Sequence, residues 1–218
     1  MRKNIPYIIG CVLVILMILI GRSMYVAANL TEEEKLLKKY LNTPDWNRFA
    51  LLIEGDKKDL ANKPNHAKET AATMDIGLQW FNLREFKYAA QWWEKGLKIE
   101  PNNTLGWSNL GNAYSEIKEY SKAETAYEKS MESARPGETT ACISLGELYR
   151  YNYKAKKDKE GEVYLNCLKK HTDDRDLIAR LAGFYRDIGD KKNALKYFDK
   201  LFSIDPTPEV MEELRLLR

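Results

Sequence analysis

The amino-acid sequence predicts an all-α protein made of stacked helix pairs behind one apolar N-terminal segment. Two observations lead to this prediction: a residue pattern that recurs about every 34 residues, and an uncharged apolar stretch close to the N-terminus. The chain has 218 residues, of which 31% are charged and only 12 are Gly and 7 are Pro. Such a composition is that of a folded chain of one or two domains, not of a collagen-like or low-complexity polymer.

The recurring pattern starts at a small residue that follows a large aliphatic one. These small residues stand 34, 35 and 36 positions apart, at Gly77, Gly111, Gly146 and Ala182. An aromatic residue follows each of them three positions later, at Trp80, Tyr114, Tyr149 and Tyr185. In three units an Ala and a second aromatic follow, as Ala89 and Trp93, Ala123 and Tyr127, and Ala194 and Phe198. The pattern predicts two closely packed helices per unit, because a small residue lets two backbones approach and aromatic rings fill the space one turn away.

The pattern resembles that of the tetratricopeptide repeat family, whose 34-residue helix–turn–helix unit has Trp, Leu, Gly, Tyr, Ala, Phe and Pro at set positions. The segment 107–114 (Trp-Ser-Asn-Leu-Gly-Asn-Ala-Tyr), followed by Ala123, Tyr127 and Pro136, is a near-complete instance. The resemblance covers residues 70–206. It implies a right-handed α-solenoid of about four repeats, near 70–103, 104–138, 139–174 and 175–206.

The third unit departs from the pattern after Tyr149, where a longer connection separates its two helices. The small residue of its second helix is at either Glu160 or Gly161, and the sequence does not decide between them. Residues 207–218 are predicted to form a capping helix, with Val210, Leu214 and Leu217 on one face, because the end of a solenoid exposes an apolar surface.

Residues 29–69 are predicted to form a helical N-terminal cap or a degenerate half-repeat. The segment Thr31-Glu-Glu-Glu34 has the spacing of a capping box and predicts a helix that ends near Leu41,. A second helix is expected to begin at Trp46 and to stop near Gly55.

Residues 1–28 are predicted to be an N-terminal signal anchor, with a transmembrane helix over residues 5–27. No charged residue lies between Asn4 and Gly21, and a helix of this length nearly spans the hydrocarbon core,. Arg2 and Lys3 precede the segment and acidic residues follow it, which favours a cytoplasmic N-terminus and an exported repeat domain, as on the periplasmic side of a bacterial inner membrane,. Two alternatives remain: signal cleavage after 26–28 that yields a secreted binder, and the opposite topology, with a cytosol-facing receptor for protein targeting.

Charge and composition argue against several classes of function. Arg2, Lys3 and Arg22 are the only charged residues before residue 23, so the rest of the chain balances its 32 acidic residues with as many basic ones. A neutral body does not favour nucleic-acid binding. No catalytic motif, metal site, cofactor or small-molecule substrate is predicted, because His66 and His171 are isolated and no phosphate-binding or nucleophile motif is present,.

The resemblance implies that the first helix of each repeat lines a concave groove for a protein or peptide partner. The candidate groove residues are Met74, Leu78, Phe81, Asn109, Asn112, Ser115, Glu147, Arg150, Tyr151 and Arg186. The apolar candidates lie at the N-terminal end of the groove, where they either contact a partner or are covered by the helices within 31–62. At the charged end, Arg150 and Arg186 are expected either to meet acidic groups of a partner or to pair with Glu147 and Asp187.

Two cysteines of the third unit, Cys142 and Cys167, are expected to come close together. They are either joined by a disulfide, if the domain is exported, or are two small apolar packing residues. Together these features predict a membrane-anchored, non-catalytic scaffold that binds a partner segment and assists the assembly or stability of an envelope protein complex.

Overall fold

The computed structural model describes residues 30–218, which form eleven α-helices and no strands. These residues divide into two compact units, 30–51 and 52–218. Within this part of the chain, every helix is too short or too polar to cross a membrane. The anchor predicted at residues 5–27 lies outside the described residues.

The first unit contains helix α1 (Glu32–Leu41) and the beginning of α2 (Asn47–Ala61), which continues into the second unit. The predicted capping box is confirmed: the Thr31 hydroxyl accepts from the Glu34 amide, and the Glu34 carboxylate accepts from the Thr31 amide. The expected stop near Gly55 is wrong. This glycine is exposed inside a continuous helix, where it costs only about 1 kcal/mol relative to Ala, and α2 instead ends before Lys63, whose φ is +52°.

The second unit continues with four helix pairs and one final helix, as predicted for a tetratricopeptide-like solenoid. The pairs are α3 (His66–Asn82) with α4 (Phe86–Ile99), α5 (Thr104–Glu116) with α6 (Tyr120–Ser133), α7 (Thr140–Glu147) with α8 (Glu160–Lys170), and α9 (Arg175–Asp187) with α10 (Lys191–Ile204). The second helix of each pair also packs against the first helix of the next pair. Polar N-caps begin three of the first helices, since Asn65, Asn103 and Asp174 each accept a backbone amide of the first turn,.

The same close contact holds each of the first three pairs together. A Cβ placed on Gly77 would lie 2.5 Å from Trp93, one on Gly111 would lie 2.5 Å from Tyr127, and one on Gly146 would lie 2.2 Å from Tyr164. The glycine is therefore required because an aromatic ring of the second helix occupies the space of its side chain. This confirms the packing that the sequence pattern predicted.

Three of the four turns within the pairs have the same hydrogen bonds and a residue with positive φ: Arg84, Lys118 and Gly189. The third turn differs, because α7 runs into a π-helical turn (Leu148–Asn152) and then a 3-10 segment (Lys154–Lys159). In the other repeats an Ala lies four residues before the aromatic residue of the second helix. Glu160 has this position relative to Tyr164, and it is 1% exposed. Gly161 instead packs against Phe184 of the next repeat, where an added Cβ would lie 2.3 Å from the ring.

The predicted capping helix is present as α11 (Pro208–Leu217), which Thr207 caps through its hydroxyl. Val210 and Leu214 are buried against the last pair, and Leu217 packs against the same cluster. This cluster covers the apolar end of the stack, as an α-solenoid requires.

Candidate functional site

The ten candidate groove residues lie on first helices α3, α5, α7 and α9 and on the turn that follows α7. We call the surface formed by these helices the first-helix face. The structure brings some of the ten together in a cleft and uses others to hold the repeats to one another.

A cleft of about 440 Å³ separates α3 from α5, and we call it the α3–α5 cleft. It is lined by His66, Ala67, Thr70, Ala71, Met74, Asp75, Glu100, Asn103, Leu105, Gly106 and Asn109. Met74 and Asn109, two of the predicted groove residues, thus meet at one site. Leu78 lies one helical turn beyond Met74 and is 42% exposed, and Leu105 at the start of α5 is 68% exposed.

Met74 and Phe81 are more constrained than their neighbours. The methyl group of Met74 lies within 3 Å of the Cβ positions that Gly96 and Gly106 lack, so this side chain is wedged between α4 and α5. The Phe81 ring packs against Phe86 and Trp93, with centroids 5.0 and 5.6 Å apart. Phe81 therefore holds α3 to α4, while Met74 forms a wall of the cleft.

Two carboxylates line the α3–α5 cleft, and the sequence reasoning did not find them. Asp75 and Glu100 line the cleft directly. Burial, with the nearby charges of Asp75 and Asp59, raises the pKa of Asp56 above its usual value,. In the sequence, Asp75 stands directly after Met74 on the same helix. That position indicates a carboxylate in the cleft only once α5 is known to lie opposite.

The middle of the first-helix face is polar. The Asn112 amide oxygen accepts a hydrogen bond of 2.7 Å from the Tyr127 hydroxyl, and burial of that ring raises the pKa of Tyr127. Ser115 is partly exposed. Asn112 is thus held by its own repeat, and Asn109 is the amide that reaches the cleft.

Arginine–carboxylate pairs neutralise the charged end within the chain. The Arg150 Nε lies 3.0 Å from Glu160 Oε1, and the same guanidinium bonds Asp187. Arg186 lies 3.0 Å from Asp187 and also bonds Glu213 of α11. The expected pairing of Arg186 with Asp187 is confirmed, whereas the pairing of Arg150 with Glu147 is wrong, because the longer connection brings Glu160 to Arg150.

Glu147 bonds a residue of the fourth repeat instead, since its Oε1 lies 2.6 Å from the Arg180 Nη1. Tyr151 is 62% exposed, with the Arg150 guanidinium 5.7 Å from its ring centroid. Tyr151 is therefore the candidate at this end whose ring is mainly available to solvent.

Cys142 of α7 and Cys167 of α8 are joined by a disulfide, with Cα atoms 6.2 Å apart. Both residues are buried. His171, at the end of α8, accepts the Gly137 amide through Nδ1 at 3.0 Å. Asp174 caps α9 and accepts the Thr139 hydroxyl at 3.1 Å. His171 and Asp174 thus link the second, third and fourth repeats through contacts that support the fold.

Two segments of the chain match sequence models of the tetratricopeptide repeat, residues 92–125 and 176–208. These segments are tetratricopeptide repeats. A "TPR repeat-containing protein" of Borreliella burgdorferi is 29% identical over 173 residues, which cover 73% of this chain and 74% of that protein.

Solved structures agree on the fold. A crystal structure of MamA superposes with a TM-score of 0.59 and 20% identity, covering 78% of this chain and 94% of that one. YrrB, described as a TPR protein with an unusual peptide-binding site, superposes with a TM-score of 0.53 and 16% identity, covering 76% of this chain and 82% of that one. At these identities the likeness concerns the fold. A tetratricopeptide unit is a protein-binding scaffold, and the fold implies a protein or peptide partner.

Proposed function

We propose that this protein is a membrane-anchored, non-catalytic adaptor. In this proposal its α3–α5 cleft and the neighbouring Leu78 bind a segment of a partner protein, and the binding assists the assembly or stability of an envelope protein complex. The observation that carries the proposal is the exposure of Leu105 in the cleft and of Leu78 one helical turn beyond Met74, in a fold that binds peptides,.

The charges around the cleft indicate the chemistry of the partner segment. Asp75 and Glu100 line it, and the charge of Asp75 contributes to the raised pKa of Asp56. An apolar segment with Lys or Arg beside its anchoring residues would complement these carboxylates, whereas an acidic segment would be repelled. The internally paired arginines at the charged end leave the α3–α5 cleft as the stronger candidate site.

Anchoring through residues 5–27 gives a weak groove a useful occupancy, because confinement to a membrane raises the effective concentration of the partner. Two features support export of the repeats. Arg2 and Lys3 precede the apolar segment,. The disulfide between Cys142 and Cys167 is of a kind that persists in oxidising compartments,.

The binding proposal is tested by purifying the full-length protein from its native membrane in mild detergent and quantifying the co-purified partner. Leu78→Lys removes an exposed apolar contact and adds a charge that repels a basic segment, so recovery of the partner should fall by about tenfold or more. Leu216→Lys is the matched control, because Leu216 is also exposed but lies on α11. Equal recovery with Leu78→Lys and wild type would contradict the proposal.

The topology is tested by adding protease to cells whose outer membrane has been permeabilised while the inner membrane stays intact. We expect the repeats to be digested while cytoplasmic proteins stay intact. Digestion only after lysis of the inner compartment would instead indicate a cytosol-facing receptor.

A further inference from the structure

The second helices form another surface, and it has clefts between successive helices. One cleft, of about 680 Å³, lies between α4 and α6, and we call it the α4–α6 cleft. It is lined by Glu94, Leu97, Lys98, Trp107, Leu110, Tyr114, Ser121, Lys122, Thr125 and Ala126. None of these residues belongs to the α3–α5 cleft, so the two clefts are separate sites.

The floor of the α4–α6 cleft is apolar and its rings are held in place. Trp107, Leu110 and Tyr114 come from α5, with Trp107 half-buried. The Trp107 indole donates to the Pro101 carbonyl at 2.6 Å, and the Tyr114 hydroxyl donates to Glu94. Rings that are already immobilised lose little entropy when a ligand packs on them, which favours binding.

The rim of this cleft is cationic. The Lys129 ammonium lies 4.3 Å from the Trp107 ring centroid, and the Lys122 ammonium lies 5.3 Å from the Tyr114 ring centroid. Lys122 also forms an exposed ion pair with Glu119 at 3.3 Å, a weak pair that an arriving carboxylate can replace,. Lys98 is exposed on the α4 side. Glu94, the sole carboxylate among the lining residues, accepts the Tyr114 hydroxyl. An arriving acidic group would therefore meet lysines in front of an aromatic floor.

The neighbouring cleft between α6 and α8 has a different character. Its lining residues include Glu128, Glu132 and Lys170, and no Phe, Tyr or Trp is among them. The combination of a fixed aromatic floor with a lysine rim thus distinguishes the α4–α6 cleft from the next position along the same surface.

We propose that the α4–α6 cleft is a second docking site, which binds an acidic segment of a protein. A large apolar side chain of that segment packs on Trp107 and Leu110, and its carboxylates lie beside Lys98 and Lys122. Charge complementarity selects this occupant. Because the first-helix cleft is acidic and this one is basic, the first and second repeats together hold two segments of opposite charge on two surfaces.

The test uses the full-length protein in nanodiscs of zwitterionic lipid and two labelled short peptides that share the same Trp and Leu residues. One peptide has Glu and the other Lys at the remaining positions, and binding is measured by fluorescence anisotropy at low ionic strength against empty nanodiscs. Both peptides are measured on the Leu78→Lys background, in which the first-helix face no longer favours the basic peptide, and the acidic peptide should then bind about tenfold tighter than the basic one, or more. Lys98→Glu with Lys122→Glu should weaken its binding by about tenfold.

Thr125→Trp fills the cleft without changing its charge and should weaken binding of the acidic peptide by a similar factor. The control variant, which should leave binding unchanged, is Lys169→Glu with Lys196→Glu, because it makes the same charge change in the cleft between α8 and α10. The site is refuted if the two peptides bind equally to the Leu78→Lys protein, if neither binds it at about 1 mM, or if the Lys169 and Lys196 variant loses as much binding as the Lys98 and Lys122 variant.

Discussion

The second and third repeats share one contact and differ in almost everything around it. In both, a glycine of the first helix touches a tyrosine of the second, Gly111 with Tyr127 and Gly146 with Tyr164. The second repeat then uses a tight turn and a buried Ala, whereas the third has a longer irregular connection and a buried Glu160. The glycine–aromatic contact therefore preserves the repeat register, while other interactions must stabilise the third connection.

Those other interactions are a disulfide and a set of ion pairs. The Cys142–Cys167 bond joins the two helices of the third repeat directly. Arg150 holds Glu160 from the irregular turn, and Lys156 of the same connection bonds Glu124 of the second repeat. The difference between the two repeats indicates that a repeat tolerates a poor turn when covalent and ionic links replace the missing packing.

The largest expected effect comes from removing the disulfide. Replacement of both cysteines by Ala should lower the free energy of unfolding by about 3 kcal/mol, because the bond restricts the unfolded chain. Hydrogen exchange should show a greater loss of protection in α7 and α8 than in α5 and α6. A thiol reductant should destabilise the wild type and leave the double variant unchanged. Equal loss of protection in both repeats would contradict the special role of the bond.

The shared contact predicts an intermediate effect that is alike in the two repeats. Gly111→Ala and Gly146→Ala each place a methyl group against a buried ring and should each cost about 2 kcal/mol in chemical denaturation. Gly55→Ala is the control, since nothing lies within 4 Å of its Cβ position and the substitution should stabilise α2 by about 1 kcal/mol,. If Gly146→Ala were neutral, the glycine–aromatic contact would not set the register of the third repeat.

The buried carboxylate predicts the smallest effect, a change in how stability depends on pH. Burial raises the pKa of Glu160 above its ordinary value of 4.5, and Arg150 opposes part of this rise,. The folded state then binds the proton more tightly than the unfolded state, so this residue reduces stability as pH increases above about 4.5. Glu160→Gln should remove that decrease, so its stability relative to wild type should increase with pH. A pH-independent difference in urea denaturation would contradict a raised pKa.

The sequence predicted the parts of the fold that repeat. Spacing alone located Gly77, Gly111 and Gly146 and their aromatic partners, because the same contact recurs at a constant interval. It could not decide between Glu160 and Gly161, since a two-residue insertion removes the register on which that reasoning depends.

The candidate site was predicted less completely. Periodicity identified which residues share the first-helix face, so Met74, Leu78 and Asn109 were found. Contacts between helices decided the rest: Phe81 packs on Trp93 of α4, and Asp187 bonds both Arg150, 37 residues away, and Arg186. The pattern within one helix does not specify which side chain of another helix lies opposite it.

The central claim, that the α3–α5 cleft docks a protein segment, is tested most directly by photo-crosslinking in the native membrane. A photoreactive amino acid would replace Leu105, and in a separate protein Leu216, because their exposed fractions are almost equal, 68% and 66%. We predict one crosslinked partner at position 105, joined through a segment with apolar and basic residues, and no such product at position 216. Absence of a crosslink at position 105, or the same product at both positions, would contradict the account.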